Sequence, residues 1–383
     1  MNKVLVILTI LVLLNIPFIY MNSVSSQVNG ILSPKNHNFI SRISLQNNQY
    51  FNNFMHYWQK PFVSASGDTI NNFIFDPSDV ELKDDAFHDS PMPLAIEWWY
   101  FDAMFSDGYS MQLTIHVLNF SVEKLVSTSL NIYQDGILQV DETTLYLSSE
   151  FSISTTAPLI QLDGDTVLHG YIHPVTHEWI YDLSLTTGNT NTHLQFVSCT
   201  KGWKGSTPAG EWAVILPYAT VTGTISISNQ DIAVNGTGYH DHNWNASLLT
   251  GVNFGWYWGK FNSKSYTFVW SNILTMRFLN QPLLVINEHN GDYFNIEPEQ
   301  VQFTWGDLRF TNGLLLPYCI MISAHNENIS LFVKMDTFEL HYQRFIGFVH
   351  YWRYHVTCVG SLTIDSKRET INENAIAEFI RFR

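Results

Sequence analysis

Hydrophobic and polar residues alternate along most of the chain after residue 90. One side of the segment 109–119 carries the apolar residues Met111, Leu113, Ile115 and Val117. This period of two predicts a half-buried β-strand. The dipeptide Asp107-Gly108 directly before it is typical of a tight hairpin turn.

Similar short segments continue at regular spacing to the end of the chain. In the first half we predict strands at Ser129–Tyr133, Gly136–Leu147, Leu159–Leu162, Thr166–His173, Trp179–Thr186 and Leu194–Cys199. In the second half we predict strands at Leu283–Asn287, Val301–Trp305, Leu314–Ser323, Ile329–Tyr342, Phe348–Val356 and Gly360–Asp365. A convincing helical period occurs only at 367–379, and the tail 372–383 fits either a short helix or a closing strand. Many short strands separated by turns predict an all-β barrel or sandwich.

The two halves of the chain share one local plan. A tryptophan-rich strand, a tight turn and an alternating strand occur at 97–117 and again at 255–273. Such internal similarity indicates duplication. We therefore predict two β domains of similar size, 91–235 and 236–383, with their boundary near 222–245. Ligand sites commonly lie where domains meet.

The first 90 residues differ from the rest in composition. Lys3 precedes an apolar run, Val4–Leu14, which Asn15 and Pro17 interrupt. We interpret 1–26 as a signal peptide of a secreted or extracytoplasmic protein, with an uncleaved membrane anchor as the alternative. Residues 27–90 are interpreted as a polar leader, in which the aromatic cluster at 51–58 is a candidate docking helix.

Composition and charge narrow the function classes. Of the 383 residues 45% are hydrophobic, 15% aromatic and 14% charged, which is enough apolar material for a large core. The net charge of −15 argues against nucleic-acid binding and against docking on anionic lipid. Three cysteines, Cys199, Cys319 and Cys358, form neither a disulfide framework nor a thiolate zinc motif. Spacing leaves open whether Cys319 and Cys358 are joined.

Candidate chemistry is concentrated in three short stretches. They are Glu97-Trp98-Trp99-Tyr100-Phe101-Asp102, Gly238-Tyr239-His240-Asp241-His242-Asn243-Trp244 and Phe254-Gly255-Trp256-Tyr257-Trp258-Gly259. Aromatic faces beside titratable groups suit a site that holds an apolar molecule and moves a proton. A core needs no such mixture, although large rings also fill barrel interiors.

The Tyr239–Asn243 segment, interpreted as a strand end or loop, allows three hypotheses. If the segment is extended, His240 and His242 face one way and Asp241 faces the other. In the first hypothesis Asp241, kept protonated by burial, is a general acid and a histidine activates water. In the second, His240 and His242 bind a metal with a third ligand that the sequence does not identify. In the third, these groups only hydrogen-bond the backbone and fix the domain junction.

Glu97 is a carboxylate at the head of an aromatic strand, and burying it without a partner is costly. It is a candidate second acid/base or a group that orients a histidine. The structural alternative is an ion pair with Lys260 or Arg277.

The three stretches resemble the signature blocks of the carotenoid 1,2-hydratase (hydroxyneurosporene synthase) and AttH-like family, in order and spacing across most of the chain after residue 90. The resemblance implies two tandem lipocalin-like β-barrels. Members of that family hydrate isoprenoid double bonds, fungal relatives catalyse intramolecular cycloaddition of polyenes, and kievitone hydratase is similar. Where the family often has glycine after the second block, this chain has Asn245.

We therefore expect a hydro-lyase-type enzyme that adds water to a carbon–carbon double bond of a hydrophobic isoprenoid or polyene. The alternatives are a non-catalytic carrier of lipophilic ligands and a cofactor-free cyclase. The expected catalytic residues are Asp241, His240, His242, Glu97 and Tyr239. The expected substrate-binding residues are Trp98, Trp99, Tyr100, Trp244, Trp256, Tyr257 and Trp258. We expect no organic cofactor and no metal. The expected partner is a hydrophobic small molecule, and membrane contact is expected only through an uncleaved N-terminal segment.

Overall fold

The structure, a computed structural model, describes residues 75–382 apart from 93, 121–122, 248–253, 276–279, 290 and 346–348. The predicted signal peptide and the candidate docking helix lie outside the described residues. Within them the chain is β-strand with two short 3-10 helices, Leu82–Asp85 and Pro298–Gln300, so the all-β prediction is confirmed. No helix in the described part of the chain is long and apolar enough to span a bilayer.

The first sheet contains 13 strands and is antiparallel throughout. Its strands are β1 (Ser78–Asp79), β2 (Ala95–Phe105), β3 (Tyr109–Asn119), β4 (Lys124–Gln134), β5 (Ile137–Leu147), β6 (Phe151–Ile153), β7 (Leu159–Leu162), β8 (Asp165–Ile172), β9 (Trp179–Thr187), β10 (Thr190–Ser198), β11 (Trp203–Thr207), β12 (Gly210–Ile227) and β13 (Gln230–Ser247). They follow the order β5-β4-β3-β2-β13-β12-β10-β9-β8-β7-β6, and β11 pairs with β12 and β1.

The second sheet contains nine strands and is also antiparallel. Its strands are β14 (Phe254–Asn262), β15 (Tyr266–Thr275), β16 (Asn280–Glu288), β17 (Tyr293–Ile296), β18 (Val301–Thr311), β19 (Leu314–His325), β20 (Ile329–Phe345), β21 (Val349–Ile364) and β22 (Lys367–Phe382). Their order is β17-β16-β15-β14-β22-β21-β20-β19-β18. The tail that fitted a helix or a strand is therefore the strand β22.

Both sheets are wound in the same way. In each, the first strand of the tryptophan-rich hairpin lies beside the last strand of the sheet, β2 beside β13 and β14 beside β22. Pairing the start of a sheet with its end curls it toward closure. The first sheet is nearly a barrel and the second is a half-barrel, which confirms the tandem lipocalin-like architecture.

The segment 222–245, predicted to contain the boundary, is strand apart from the turn at 228–229. It belongs to β12 and β13, two paired strands of 18 residues each. The strand end or loop predicted at Tyr239–Asn243 is continuous strand, and the change of sheet follows Ser247. The alternating pattern of a strand is missing at Tyr239–Asn243 because both faces of β13 are buried there. The polar side chains on these faces have hydrogen-bond partners within the protein.

The described residues form three hydrophobic cores. One fills the first sheet around Trp99 and Phe101, and one fills the second around Trp270 and Trp352. The third lies between the sheets and includes Trp258. The three cysteines are free, because β19 and β21, which carry the two buried ones, are separated by β20.

Candidate functional site

Strand β13 presents its two faces to different parts of the molecule. Tyr239, Asp241 and Asn243 point into the region between the sheets. His240 and His242 point to the inner face of the first sheet, toward the 3-10 helix. The alternation predicted from the sequence is therefore present, and it separates the carboxyl group from both imidazoles.

A cavity of about 210 Å³ lies between the two sheets. Most of its wall is apolar, and the aromatic lining residues are Trp98, Tyr100, Trp212, Trp244, Trp256, Trp258, Tyr351 and Phe382. Trp98 of β2 and Trp256 of β14 stack nearly parallel, with ring centroids 6.3 Å apart and planes 5° apart. Each of the two repeated hairpins thus contributes one ring to this stacked pair.

Asp241 is the carboxyl group of the predicted motif, and it lies in the cavity wall. Its Oδ2 accepts hydrogen bonds from the Tyr239 hydroxyl at 2.8 Å and from Trp212 Nε1 at 3.0 Å, and its Oδ1 accepts one from Asn243 at 3.0 Å. Burial raises the pKa of Asp241 to about 7, although the hydrogen bonds from Tyr239 and Trp212 act in the opposite direction. A carboxyl group with this pKa can give or accept a proton near neutral pH.

Glu378 is a second buried carboxyl group in the cavity wall, carried by β22. Its Oε1 accepts hydrogen bonds from Tyr351 at 2.5 Å, from Tyr100 at 2.6 Å and from Arg353 Nη1 at 2.7 Å. Burial raises the pKa of Glu378, and the Arg353 guanidinium and the two tyrosines oppose this shift. The cavity therefore has carboxyl groups from both sheets.

His240 ties the first sheet to the 3-10 helix. Its Nδ1 lies 2.9 Å from the Tyr100 carbonyl and its Nε2 lies 3.0 Å from Asp85 Oδ2, which also accepts the Tyr181 hydroxyl at 2.6 Å. Both ring nitrogens lie within hydrogen-bond distance of acceptors. Asp85 and His240 are fully buried, and they form an internal carboxylate–histidine pair.

His242, two residues further along β13, also contacts a backbone carbonyl and a carboxylate. Its Nδ1 lies 3.1 Å from the Asp84 carbonyl and its Nε2 lies 3.0 Å from Glu97 Oε1. The same oxygen accepts the His88 backbone N–H at 2.8 Å and faces His88 Nδ1 at 3.2 Å. Burial alone would raise the pKa of Glu97, but the contacts with His242 and His88 outweigh it and hold this pKa below its usual value.

One group of side chains in the described part of the chain has the donor set of a metal site. Ligand atoms of His88, Glu97 and His242 lie within 4.8 Å of one another, and zinc accepts such donors. His240, the other member of the predicted metal pair, contacts a different carboxylate. His88 and His242 both contact Glu97 Oε1, whereas the buried Glu97 Oε2 has no hydrogen-bond partner among the described residues.

The remaining predicted residues divide between the cavity and the two cores. Trp99 lies inside the first sheet, where its Nε1 donates to the Asp85 carbonyl at 3.0 Å. Tyr257 stacks on Phe379 in the core of the second sheet, with ring centroids 4.1 Å apart. The alternative partner proposed for Glu97, Lys260, instead forms a 2.7 Å ion pair with Asp102. The other, Arg277, lies outside the described residues.

Sequence reasoning missed Glu378 and Tyr351 in the cavity wall, Arg353 in contact with Glu378, and Asp85 and His88 beneath the histidines. The available signal was a single charge inside an apolar strand, as in Ala375–Ile380 and Tyr351–Val356. A buried charge of this kind requires a partner. The sequence does not show where that partner lies, because Tyr100 and Glu378 are 278 residues apart.

Comparisons with known proteins identify the fold. No protein-family model matches the chain, and no curated protein matches it. Among solved structures, an AttH candidate from Nitrosomonas europaea is similar, with a TM-score of 0.59 and 15% identity over 83% of this chain and 98% of that one. CghA (TM-score 0.49, 11% identity, 77% and 90% coverage) and kievitone hydratase from Nectria haematococca (0.44, 12%, 75% and 88%) are also similar. At 15% identity the likeness to the Nitrosomonas europaea structure shows a shared fold.

Proposed function

We propose that this protein is an enzyme that adds water to a carbon–carbon double bond of a hydrophobic isoprenoid or polyene bound in the cavity between the sheets. One observation carries the proposal. Asp241, whose pKa is raised to about 7, stands in a wall that is mostly apolar and contains several tryptophan and tyrosine rings. Protonating an unactivated alkene needs an acid that keeps its proton near neutral pH, and an apolar hollow that holds the alkene beside it.

In the proposed reaction the protonated Asp241 gives its proton to one alkene carbon, and the π electrons form the new C–H bond. A carbocation remains on the other carbon. Water attacks this carbon, and the proton it loses returns to the Asp241 carboxylate. The net change is the addition of one water molecule, and Asp241 ends in its starting state.

The cavity wall suits the intermediate of this reaction. A cation over an aromatic face is attracted by the ring quadrupole, by about 2 kcal/mol or more when it is desolvated. Trp98 and Trp256 provide parallel faces at one wall, and Trp258 and Tyr100 pack edge-to-face at another. Tyr239 is a proposed positioning residue, because its hydroxyl donates to Asp241 and fixes the direction of the carboxyl group.

The experiment that tests this proposal uses the full chain and a panel of acyclic terpenes and carotenoids in ¹⁸O-labelled water. We expect an alcohol product that carries the label. Asp241→Asn should lower kcat by about 100-fold or more while changing ligand Kd by less than about threefold. Asp231→Asn is the matched control, because it makes the same change at an exposed position of the same strand.

Two other outcomes identify the alternatives. A carrier would bind members of the panel without converting them, and Asp241→Asn would leave its affinity unchanged. A cofactor-free cyclase would give a product of unchanged mass without label, since shape and positioning alone drive that reaction. Either result contradicts hydration. A carotenoid substrate, which the sequence resemblance favours, is one member of the proposed class.

A further inference from the structure

The two oxygens of Glu378 have different surroundings. Oε1 accepts from Tyr100, Tyr351 and Arg353, which exceeds the usual number of donors on one oxygen. Among the described residues no group donates to Oε2. The side chain is only 5% exposed and lines the cavity, so the cavity is where Oε2 can meet a partner.

An unpaired carboxylate oxygen in such a wall carries a cost. A charged acceptor left without a hydrogen bond is costly once an apolar molecule replaces the water beside it. Tyr100, Tyr351 and Arg353 all contact the same oxygen, Oε1, so Oε2 is left as the acceptor on the cavity side. The geometry is that of a preorganised acceptor in a mostly apolar wall.

We propose that Glu378 Oε2 accepts a hydrogen bond from a hydroxyl group of the molecule in the cavity, so that the ligand is an oxygenated isoprenoid or polyene alcohol and not a pure hydrocarbon. The inference rests on the proposed function only in taking this cavity as the ligand site. It names a residue and a substrate class that the motif around Asp241 does not indicate.

The charges around Glu378 select a neutral donor. Arg353 is fully buried and its Nη1 contacts Glu378 at 2.7 Å, so it already balances the carboxylate charge. An ammonium group would therefore add an uncompensated buried charge. A carboxylate or a lone carbonyl on the ligand would present a second acceptor to Oε2. A hydroxyl satisfies the oxygen without changing the charge of the site.

The experiment compares two probes that differ only in that donor, geraniol and geranyl methyl ether. Isothermal titration calorimetry on the full-length protein should show geraniol binding about tenfold more tightly or better, which is the value of one such hydrogen bond. Geranylamine, protonated at neutral pH, should bind no more tightly than geraniol. If the wild-type protein binds geraniol and its ether with equal affinity, within about threefold, that result by itself overturns the inference.

Glu378→Gln gives a second and sharper result. The three donors require an oxygen at the position of Oε1, so the new amide must turn its NH₂ group toward the cavity. The preference for geraniol over its ether should disappear or reverse. A folded variant, verified by circular dichroism, that keeps the full preference also overturns the inference. Glu369→Gln, near the other end of β22, is the matched control and should keep the wild-type preference.

These measurements separate this inference from the proposed function. If no labelled alcohol forms but the preference for geraniol is present and depends on Glu378, hydration fails and the hydroxyl subsite remains. If label is incorporated but the two probes bind equally, hydration remains and the subsite fails. Asp241→Asn should leave the ratio of the two affinities unchanged, because it alters the other carboxyl group of the cavity.

Discussion

Asp241 is neutral in the folded protein at pH values where it would be ionised in an unfolded chain. Burial is the largest cause, and it moves the pKa from 3.8 to about 7. The folded state therefore binds a proton more tightly than the unfolded state. The stabilisation that this proton provides is complete below about pH 4 and is lost as pH rises toward about 7.

This shift gives a prediction that needs no substrate. Between pH 5 and pH 8 the free energy of unfolding should fall by about 2–4 kcal/mol more in the wild type than in Asp241→Asn. Urea titrations at both pH values measure the difference, and Asp231→Asn should behave like the wild type. Identical pH dependence in the wild type and Asp241→Asn would show that Asp241 is not the buried acid described above.

Asn245 illustrates how one residue can replace another at a special backbone position. It has φ of +54° at the irregularity in pairing between Asn243 and Ala246. Glycine adopts this left-handed conformation most easily, and asparagine is among the few other residues that visit it routinely. The departure from the family pattern at this position therefore keeps the geometry that glycine provides.

The 3-10 helix at 82–85 is a structural part of the first sheet, although the sequence assigned it to a polar leader. Asp85 is fully buried against His240 and Tyr181, and the helix backbone accepts hydrogen bonds from Trp99 and His242. Four side chains of the sheet thus converge on a helix of four residues. The histidines of the motif hold this element in place, on the face of β13 away from the cavity.

The matched pair Asp85→Asn and Asp89→Asn tests this assignment. Removing one partner of a buried ion pair costs about 3–5 kcal/mol, so Asp85→Asn should destabilise the fold by that order. Asp89 pairs with Lys124 at the surface, where such pairs contribute about 0–1 kcal/mol. Urea unfolding measures both variants. Equal destabilisation by the two would mean that the pair with His240 does not anchor the helix.

At the scale of the whole molecule, the cavity exists because two repeated hairpins face each other. Trp98 and Trp256 occupy corresponding strands of the two sheets and stack across their boundary. The stacked pair needs both sheets, since each sheet supplies one of the two rings. The duplication that the sequence indicates is therefore also what creates the proposed binding site.

This arrangement predicts coupling between the two tryptophans in ligand binding. Trp98→Ala and Trp256→Ala should each weaken geraniol binding by about tenfold in calorimetry, because each removes an aromatic contact face. The double variant should lose about 1 kcal/mol less binding free energy than the sum of the two single losses, because the two rings stack on each other. Trp179→Ala, in a half-buried ring packed against the first core, is the control. Unchanged affinity in both single variants would place the ligand elsewhere.

Much of the fold could be predicted because its signals are local. Alternation and turn residues gave the strand at 109–119, the turn before it and most strands of the second half, since side-chain direction along a strand depends only on neighbouring residues. The same rule separated Asp241 from His240 and His242. Longer strands were predicted too short, and β12 and β13 were missed, where burial on both faces removed the alternation. That residues 1–26 direct export remains a prediction.

The sequence by itself determined the β-strands, the repeated hairpins and the two faces of the motif, since each depends on contacts a few residues apart. Only the tertiary structure decided that Glu378 and Tyr351 line the cavity, that Asp85 and His88 lie against the histidines, and which tryptophans face the cavity. Those choices depend on the pairing of strands far apart in the chain. Burial of whole sheet faces sets that pairing, and no local pattern of residues encodes it.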